Sequence, residues 1–270
     1  MRGMIFAAGL GTRFKPWTDK HPKALAPVHG KSLLERNIEY LQQFGIDEVV
    51  VNVHHFAEQI EEAVKLNDGW GSKVIISNER DEVLETGGGL MKARTLLGDE
   101  DFVVINVDVL TDLDLGAMIS YHSLKGSLAT LAVSDRNTSR YFLFDEKMEL
   151  RGWRNVSTGE ERLRAERPEA GQNDGFSTRH YSSFGETQRS ARPLGVQPGG
   201  LIQKAFSGIH IISPNIFKHI HQQGKFSMVD VYLSLGMEYP VYGFDHTGSK
   251  FIDVGKPDSV EKAEEIFAAG

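Results

Sequence analysis

The sequence predicts an α/β fold: a parallel sheet with helices on both faces. Three observations carry this. Short β-branched runs alternate with segments whose apolar residues recur at helical spacing. The first run leads straight into a Gly-x-Gly turn. The chain has 270 residues, which at roughly 150 residues per domain suits one large domain or one domain plus an elaboration. We read residues 1–270 as that single domain.

Residues 4–8 (Met-Ile-Phe-Ala-Ala) form the first strand, broken by Gly9-Leu10-Gly11. Ser32-Leu33-Leu34-Glu35 has capping-box spacing, Leu34, Ile38 and Leu41 mark the helix that follows, and Gly45 suits its C-terminal cap. Residues 49–53 form a buried parallel strand, and Phe56, Ile60, Ala63 and Val64 a helix. Strands follow at 74–77, 102–107 and 128–133, with a helix near 90–97. Residues 155–203 are rich in Gly, Ser, Arg, Gln, Glu and Pro without sustained periodicity, so a long loop or partly disordered insertion is expected. Order resumes at 205–213, with helices at 216–221 and 228–235, strands at 241–244 and 250–254, and a last helix opened by Pro257.

Composition narrows function. Thirty Lys and Arg against 37 Asp and Glu give a net charge of −7. This disfavours nucleic acid as a partner, because counterion release needs clustered basic residues. The absence of cysteine excludes thiol nucleophiles, disulfides and Cys-ligated metals. No apolar run approaches the roughly 20 residues that span a bilayer, so a cytoplasmic protein without a membrane partner is expected. The sequence leaves a homo-oligomer open.

The most informative stretch is Ala7-Ala8-Gly9-Leu10-Gly11-Thr12-Arg13, then Pro22-Lys23. Gly-x-Gly at a strand end lets backbone amides approach a polyphosphate. Arg13 can bridge phosphate oxygens, and Lys23 adds a compact positive charge. A dinucleotide fingerprint would need glycine at Phe14, and no Walker loop is present.

Gly9-Leu10-Gly11-Thr12-Arg13-Phe14-Lys15-Pro16-Trp17-Thr18, Pro22-Lys23-Ala24-Leu25-Ala26-Pro27-Val28 and Gly30-Lys31-Ser32-Leu33-Leu34-Glu35 together resemble the signature of the sugar-1-phosphate nucleotidylyltransferases. Glu85-Thr86-Gly87-Gly88-Gly89 resembles the N-acetylmuramate-1-phosphate uridylyltransferases and mannose-1-phosphate guanylyltransferase-like members. The resemblance covers residues 1–153 and 205–267. It implies a Rossmann-like, three-layer nucleotide-diphosphate-sugar transferase fold with a mixed, mostly parallel central sheet.

Asp108 follows a strand, where open α/β sheets bind ligands, and Asp253 lies among apolar residues, an expensive place for an unpaired charge. Either alone is more often a cap or turn residue; the resemblance makes them a pair that holds Mg²⁺. Asp112 and Asp114 read as helix-start residues.

The resemblance further implies nucleotide contacts from Ala8, Gly9, Leu10, Gly11, Thr12, Arg13, Lys23, Thr86, Gly87 and Gly88. Asn78 and Glu79 would border the base. Asn106, Asp108, Ser207 and Gly208 would line the sugar side, with Arg140 nearby. Many relatives meet the sugar phosphate with a lysine before the sugar-side strand; here Lys204 is the nearest match and Lys225 an outside candidate. His54 and His55 read as packing or helix-start residues.

The expected reaction is Mg²⁺-dependent transfer of a nucleotidyl group from a nucleoside triphosphate, UTP first and GTP second, to a sugar 1-phosphate, on a route to cell-wall or polysaccharide precursors. Arg13, Lys23, Asp108 and Asp253 would carry it. The alternatives are a cytidylyltransferase for a non-sugar phosphate such as phosphocholine, with Trp153 and Tyr141 available to an ammonium group, and a non-catalytic nucleotide sensor.

Overall fold

The structure is a computed structural model and describes residues 1–164, 200–235 and 239–267. In chain order its elements are β1 (Gly3–Phe6), β2 (Pro27–Val28), β3 (Lys31–Ser32), α1 (Leu33–Gln42), β4 (Glu48–Val53), α2 (Ala57–Leu66), β5 (Lys73–Asn78), α3 (Glu85–Leu97), β6 (Phe102–Asn106), β7 (Val109–Thr111), α4 (Leu115–Lys125), β8 (Ala129–Ser134), β9 (Arg140–Phe144), β10 (Leu150–Asn155), β11 (Glu160–Leu163), β12 (Ile202–Ile212), α5 (Met228–Ser234), β13 (Val241–Asp245), β14 (Phe251–Asp253) and α6 (Asp258–Ile266).

The central sheet is mixed. Its order is β11-β10-β9-β12-β6-β1-β4-β5, with β8 on β12 and β13 on β8. The block β6-β1-β4-β5 is parallel, and β12 runs antiparallel to β6. Strand alternation sends Ile5, Val49 and Val51 to one face, where they pack with Leu34, Ile38 and Leu41 of α1, Ile60 of α2 and Met118 of α4. Met4, Phe6 and Val50 point to the other face, against Leu90 and Leu97 of α3 and Val231 of α5. Each fully buried aliphatic side chain contributes roughly 1.5–3 kcal/mol, so both faces supply the core. The three layers are those expected.

Local signals held where they were chemically explicit. Ser32 accepts from the Glu35 amide at 3.0 Å and Glu35 reaches back to the Ser32 amide, closing the capping box. Asp114 caps α4 by accepting from the Ala117 amide at 2.9 Å. Gly45 turns out of α1 with φ 71°.

Three expectations are corrected, and one strand is added. The expected loop from 155 to 203 has order at both ends: β10 and β11 form a hairpin with Asn155 opposite Glu160, and β12 begins at Ile202. This hairpin carries little apolar alternation. It is held by cross-strand charge, Arg154 with Glu161, and by Arg162 reaching Asp230 at 2.8 Å. Residues 165–199 lie outside the described residues. The helix expected near 90–97 starts at Glu85 and takes the three glycines into its first two turns. The helix expected at 216–221 is a 3-10 turn, Pro214–Lys218. The added strand is β9, a segment for which no element was expected, with Phe142 and Phe144 buried.

Gly208 bends the long β12. Its φ is 76°, and the pairing with β8 shifts register between Phe206 and His210. A Cβ here would meet Asn106 Nδ2 at 2.8 Å and Val109 Cγ2 at 2.9 Å, so a left-handed backbone and a close approach both require glycine.

Candidate active site

A cavity of about 580 Å³ opens at the C-terminal ends of β1, β4 and β6, the edge where parallel sheets bind ligands. Phe6 lies between Asn52 of β4 and Asn106 of β6 in the strand register. The chain then leaves the sheet through Ala7 and Ala8 into the glycine turn. Gly11 takes φ 58°; a Cβ there would meet Thr18 Cγ2 at 2.7 Å, and Thr18 Oγ1 donates to the Gly11 carbonyl at 2.9 Å. A 3-10 turn, Thr12–Phe14, follows, and its buried Phe14 anchors the loop. Gly9 is different: a Cβ added to it would meet nothing.

Asp108 is pinned from three directions. The Val107 amide donates to the Phe6 carbonyl, Asn37 Nδ2 donates to the Val107 carbonyl at 2.9 Å, and the Val254 amide donates to the Asp108 carbonyl at 2.8 Å. β14 pairs with β7 so that Asp253 faces Val109, one residue beyond Asp108. The two acidic residues, 145 positions apart in sequence, therefore become neighbours. Gly255 keeps the junction open: a Cβ would stand 2.8 Å from Asp253 Oδ1 and 3.4 Å from Arg13 Nη2.

The electrostatics are those of crowded like charge. Lys23 Nζ lies 2.5 Å from Asp108 Oδ2. Asp253 is held above its ordinary pKa, first by desolvation and then by the Asp108 carboxylate, against the opposing pull of Lys23, Arg13 and Arg136. Its side chain still reaches solvent. Two carboxylates that repel each other, both oxygen donors, suit a hard divalent cation that takes its other ligands from phosphate and water. Among the described residues no group of three or more His, Asp or Glu could hold a metal by protein ligands alone.

At the far end of the cavity Glu85 opens α3 in the left-handed region, φ 57°, an uncommon state for a residue with a Cβ. Lys225 Nζ lies 3.6 Å from its carboxylate. Beneath it runs a buried pair. Asn52 Oδ1 accepts from the amides of Ala7 and Ala8 at 2.7 and 3.3 Å, and Asn52 Nδ2 donates to Glu79 Oε1 at 2.7 Å. Glu79 is wholly buried, and burial raises its pKa.

Of the residues singled out from the sequence, Ala8, Gly9, Gly11, Thr12, Arg13, Lys23, Glu79, Thr86, Asn106, Asp108 and Arg140 line this cavity. Asp253 stands beside it through Asp108. Leu10 points to solvent. Gly87 and Gly88 pack elsewhere: their amides donate to the Phe226 carbonyl, and a Cβ on Gly88 would stand 2.2 Å from the Gly224 carbonyl oxygen. Their smallness admits the 224–228 segment. Ser207 hydroxyl meets His246 Nε2 at 2.7 Å. Lys204 is buried between Asp135 at 2.8 Å and Asp245 at 2.5 Å. Burial opposes its charge, but those two carboxylates prevail and raise its pKa. Arg140 has no carboxylate in salt-bridge range among the described residues and is exposed in the cavity wall. His54 meets the Glu79 carbonyl at 2.7 Å, a packing role. Asn52 was missed, although a lone amide inside a Val-rich strand demands a partner.

Residues 2–149 match the family model described as nucleotidyl transferase. The N-acetylmuramate alpha-1-phosphate uridylyltransferase of Caulobacter vibrioides is 40% identical over 118 residues, covering 43% of this chain and 49% of that protein. The enzyme of the same name from Neisseria meningitidis serogroup B is 43% identical over 117 residues, covering 43% and 51%. These matches thus span about half the length of either relative. In fold, the chain is similar to HddC from Yersinia pseudotuberculosis, with a TM-score of 0.68 at 24% identity and 98% of each chain covered. No helix among the described residues is long and apolar enough to cross a membrane. The family match covers more than half the sequence and takes in the glycine loop, Lys23 and Asp108: the chain belongs to the nucleotidyl transferase family.

Proposed function

We propose that this chain transfers a nucleotidyl group from a nucleoside triphosphate to a sugar 1-phosphate, releasing pyrophosphate. The carrying observation is that one cavity gathers a glycine turn, Arg13, Lys23 and Asp108, with Asp253 beside it. UTP is the first-choice nucleotide, supported by the names of the two uridylyltransferase relatives, and GTP the second.

In this reading the open space over Gly9 receives the triphosphate, and the amides of the 9–12 turn would cradle it. Arg13 takes the departing pyrophosphate and Lys23 the α-phosphate. The sugar phosphate oxygen attacks the α-phosphorus in line; that P–O bond forms as the bond to the β-phosphate bridging oxygen breaks, and pyrophosphate leaves with the electron pair. Asp108 and Asp253 would hold Mg²⁺, which would supply charge neutralisation at the reacting phosphates. No protein nucleophile is needed. With Lys204 committed to Asp135 and Asp245, and Arg13 and Lys23 given to the triphosphate, Arg140 is the remaining cation among the described residues lining the cavity and would take the acceptor phosphate. A phosphocholine acceptor would call for an aromatic cage, but Trp153 stacks against Arg162 and the Tyr141 hydroxyl accepts from the Thr138 amide, away from the cavity wall.

The test is a matrix of UTP, GTP, CTP, ATP and dTTP against sugar 1-phosphates, including N-acetylmuramate and mannose 1-phosphates, with Mg²⁺ and products identified by mass. One nucleotide diphosphate sugar plus pyrophosphate is the expected result. Turnover only with a non-sugar phosphate would replace the acceptor; no product from any pair, in protein that binds nucleotide, would favour the sensor.

A further inference from the structure

The buried Asn52–Glu79 pair lies behind the phosphate-facing turn. Asn52 stands in β4, directly across from Phe6, the last residue of β1. Its carbonyl oxygen takes two successive amides, Ala7 and Ala8, at the point where the chain quits the sheet. Backbone amides there would otherwise have no strand partner, and orphan buried donors are costly. The polarity of the amide leaves one orientation: the oxygen must face the two N–H donors, so Nδ2 must face Glu79. Glu79 is itself fixed. Its amide donates to the Val53 carbonyl at 2.7 Å, and its second oxygen lies 3.5 Å from the Leu84 amide. A Cβ on Gly89 would reach Glu79 Oε1 at 2.7 Å and Asn52 Nδ2 at 2.9 Å. The third glycine of the Glu-Thr-Gly-Gly-Gly motif therefore makes room for this pair rather than for a ligand.

We propose that Asn52 and Glu79 are positioning residues for triphosphate binding. Asn52 consumes the Ala7 and Ala8 amides, setting where the turn departs and leaving the following amides to the phosphates, while Glu79 locks the Asn52 amide in the orientation that does this. The proposal rests on the nucleotidyl-transfer reading.

The experiment uses the full chain and inorganic tripolyphosphate, which reports on the turn without base or sugar. Binding is measured by calorimetry with Mg²⁺, alongside KM for each substrate and the thermal transition. Asn52→Ala removes the acceptor. Asn52→Asp keeps an acceptor for Ala7 and Ala8 but sets a carboxylate against Glu79, and Asn52→Asp with Glu79→Gln restores a donor opposite an acceptor. Tripolyphosphate affinity and KM for the nucleotide should worsen tenfold or more in each single variant. KM for the sugar 1-phosphate should stay within twofold, and the double variant should recover to within threefold of wild type. A purely structural lesion would instead lower the active fraction and leave both KM values alone. Should Asn52→Ala fail to fold, Asn52→Asp and its rescue decide. Wild-type affinity in a folded single variant overturns this inference alone. A wild-type chain that binds no tripolyphosphate and turns over no pair overturns the functional reading and this inference with it.

Discussion

Removing Lys23 should damage stability and turnover together, and Mg²⁺ should repair only the first. Lys23 Nζ sits 2.5 Å from Asp108 Oδ2, with side-chain exposures of 10% and 22%. Exposed pairs contribute roughly 0–1 kcal/mol and breaking fully buried pairs costs about 3–5, so this half-sheltered pair is placed near 2 kcal/mol. Lys23→Ala also leaves Asp108 and Asp253 facing each other with one counter-charge fewer. Urea unfolding in a chelator should show the loss of about 2 kcal/mol, or about 4–8 °C in Tm for a chain of this size. Millimolar Mg²⁺ should narrow that gap, because a divalent cation takes over the neutralisation. Turnover should still fall by about 10²–10³, the usual effect of deleting one preorganised charge stabiliser. A variant with wild-type Tm in chelator, or with turnover within threefold of wild type, would refute the role assigned to this lysine.

Other expectations follow from single residues. Gly208→Ala imposes a left-handed alanine, about 1–2 kcal/mol, and pushes a methyl against Asn106 and Val109, about 1–3 kcal/mol more; the urea midpoint should drop accordingly, and an unchanged midpoint would contradict the packing described. Arg140→Ala should raise KM for the sugar 1-phosphate about tenfold, the effect of losing one charge-assisted hydrogen bond of about 1.4 kcal/mol, with KM for the nucleotide unmoved; the reverse pattern would assign Arg140 to the nucleotide. Glu79 has a folded pKa raised above its ordinary 4.5 by burial. The folded state thus holds the proton more tightly, and stability present below pH 4.5 is lost as pH rises through the folded value. Relative to Glu79→Gln, the wild type should lose stability across that window; a constant or opposite difference would mean the carboxyl is not desolvated as described.

The sequence was most readable where function and local chemistry share a short stretch. The glycine turn, Lys23 and the capping box are contiguous motifs, and each formed as its residues dictate. Asp253 stood out as a charge among apolar residues, but its pairing with Asp108 was legible only through resemblance, since nothing local says that β14 will lie on β7. Lys204 looked free because its partners, Asp135 and Asp245, are distant in sequence. Asn52 and Glu79 lie 27 positions apart and meet across two strands. The glycines after Thr86 pack against Phe226, the Gly224 carbonyl and the Asn52–Glu79 pair, neighbours invisible without knowing which segments meet there. The β10–β11 hairpin escaped notice because it is stabilised by charge pairs that resemble a solvated loop.

The most direct test of the central claim is the initial rate of nucleotide diphosphate sugar formation by the wild-type chain beside Asp108→Asn, at equal folded concentration and saturating Mg²⁺. The account predicts product and pyrophosphate in equal amounts from the wild type, and a rate at least about a hundredfold lower from the variant. Equal rates from the two proteins, or no product from the wild type with any nucleotide and sugar 1-phosphate pair, would contradict it.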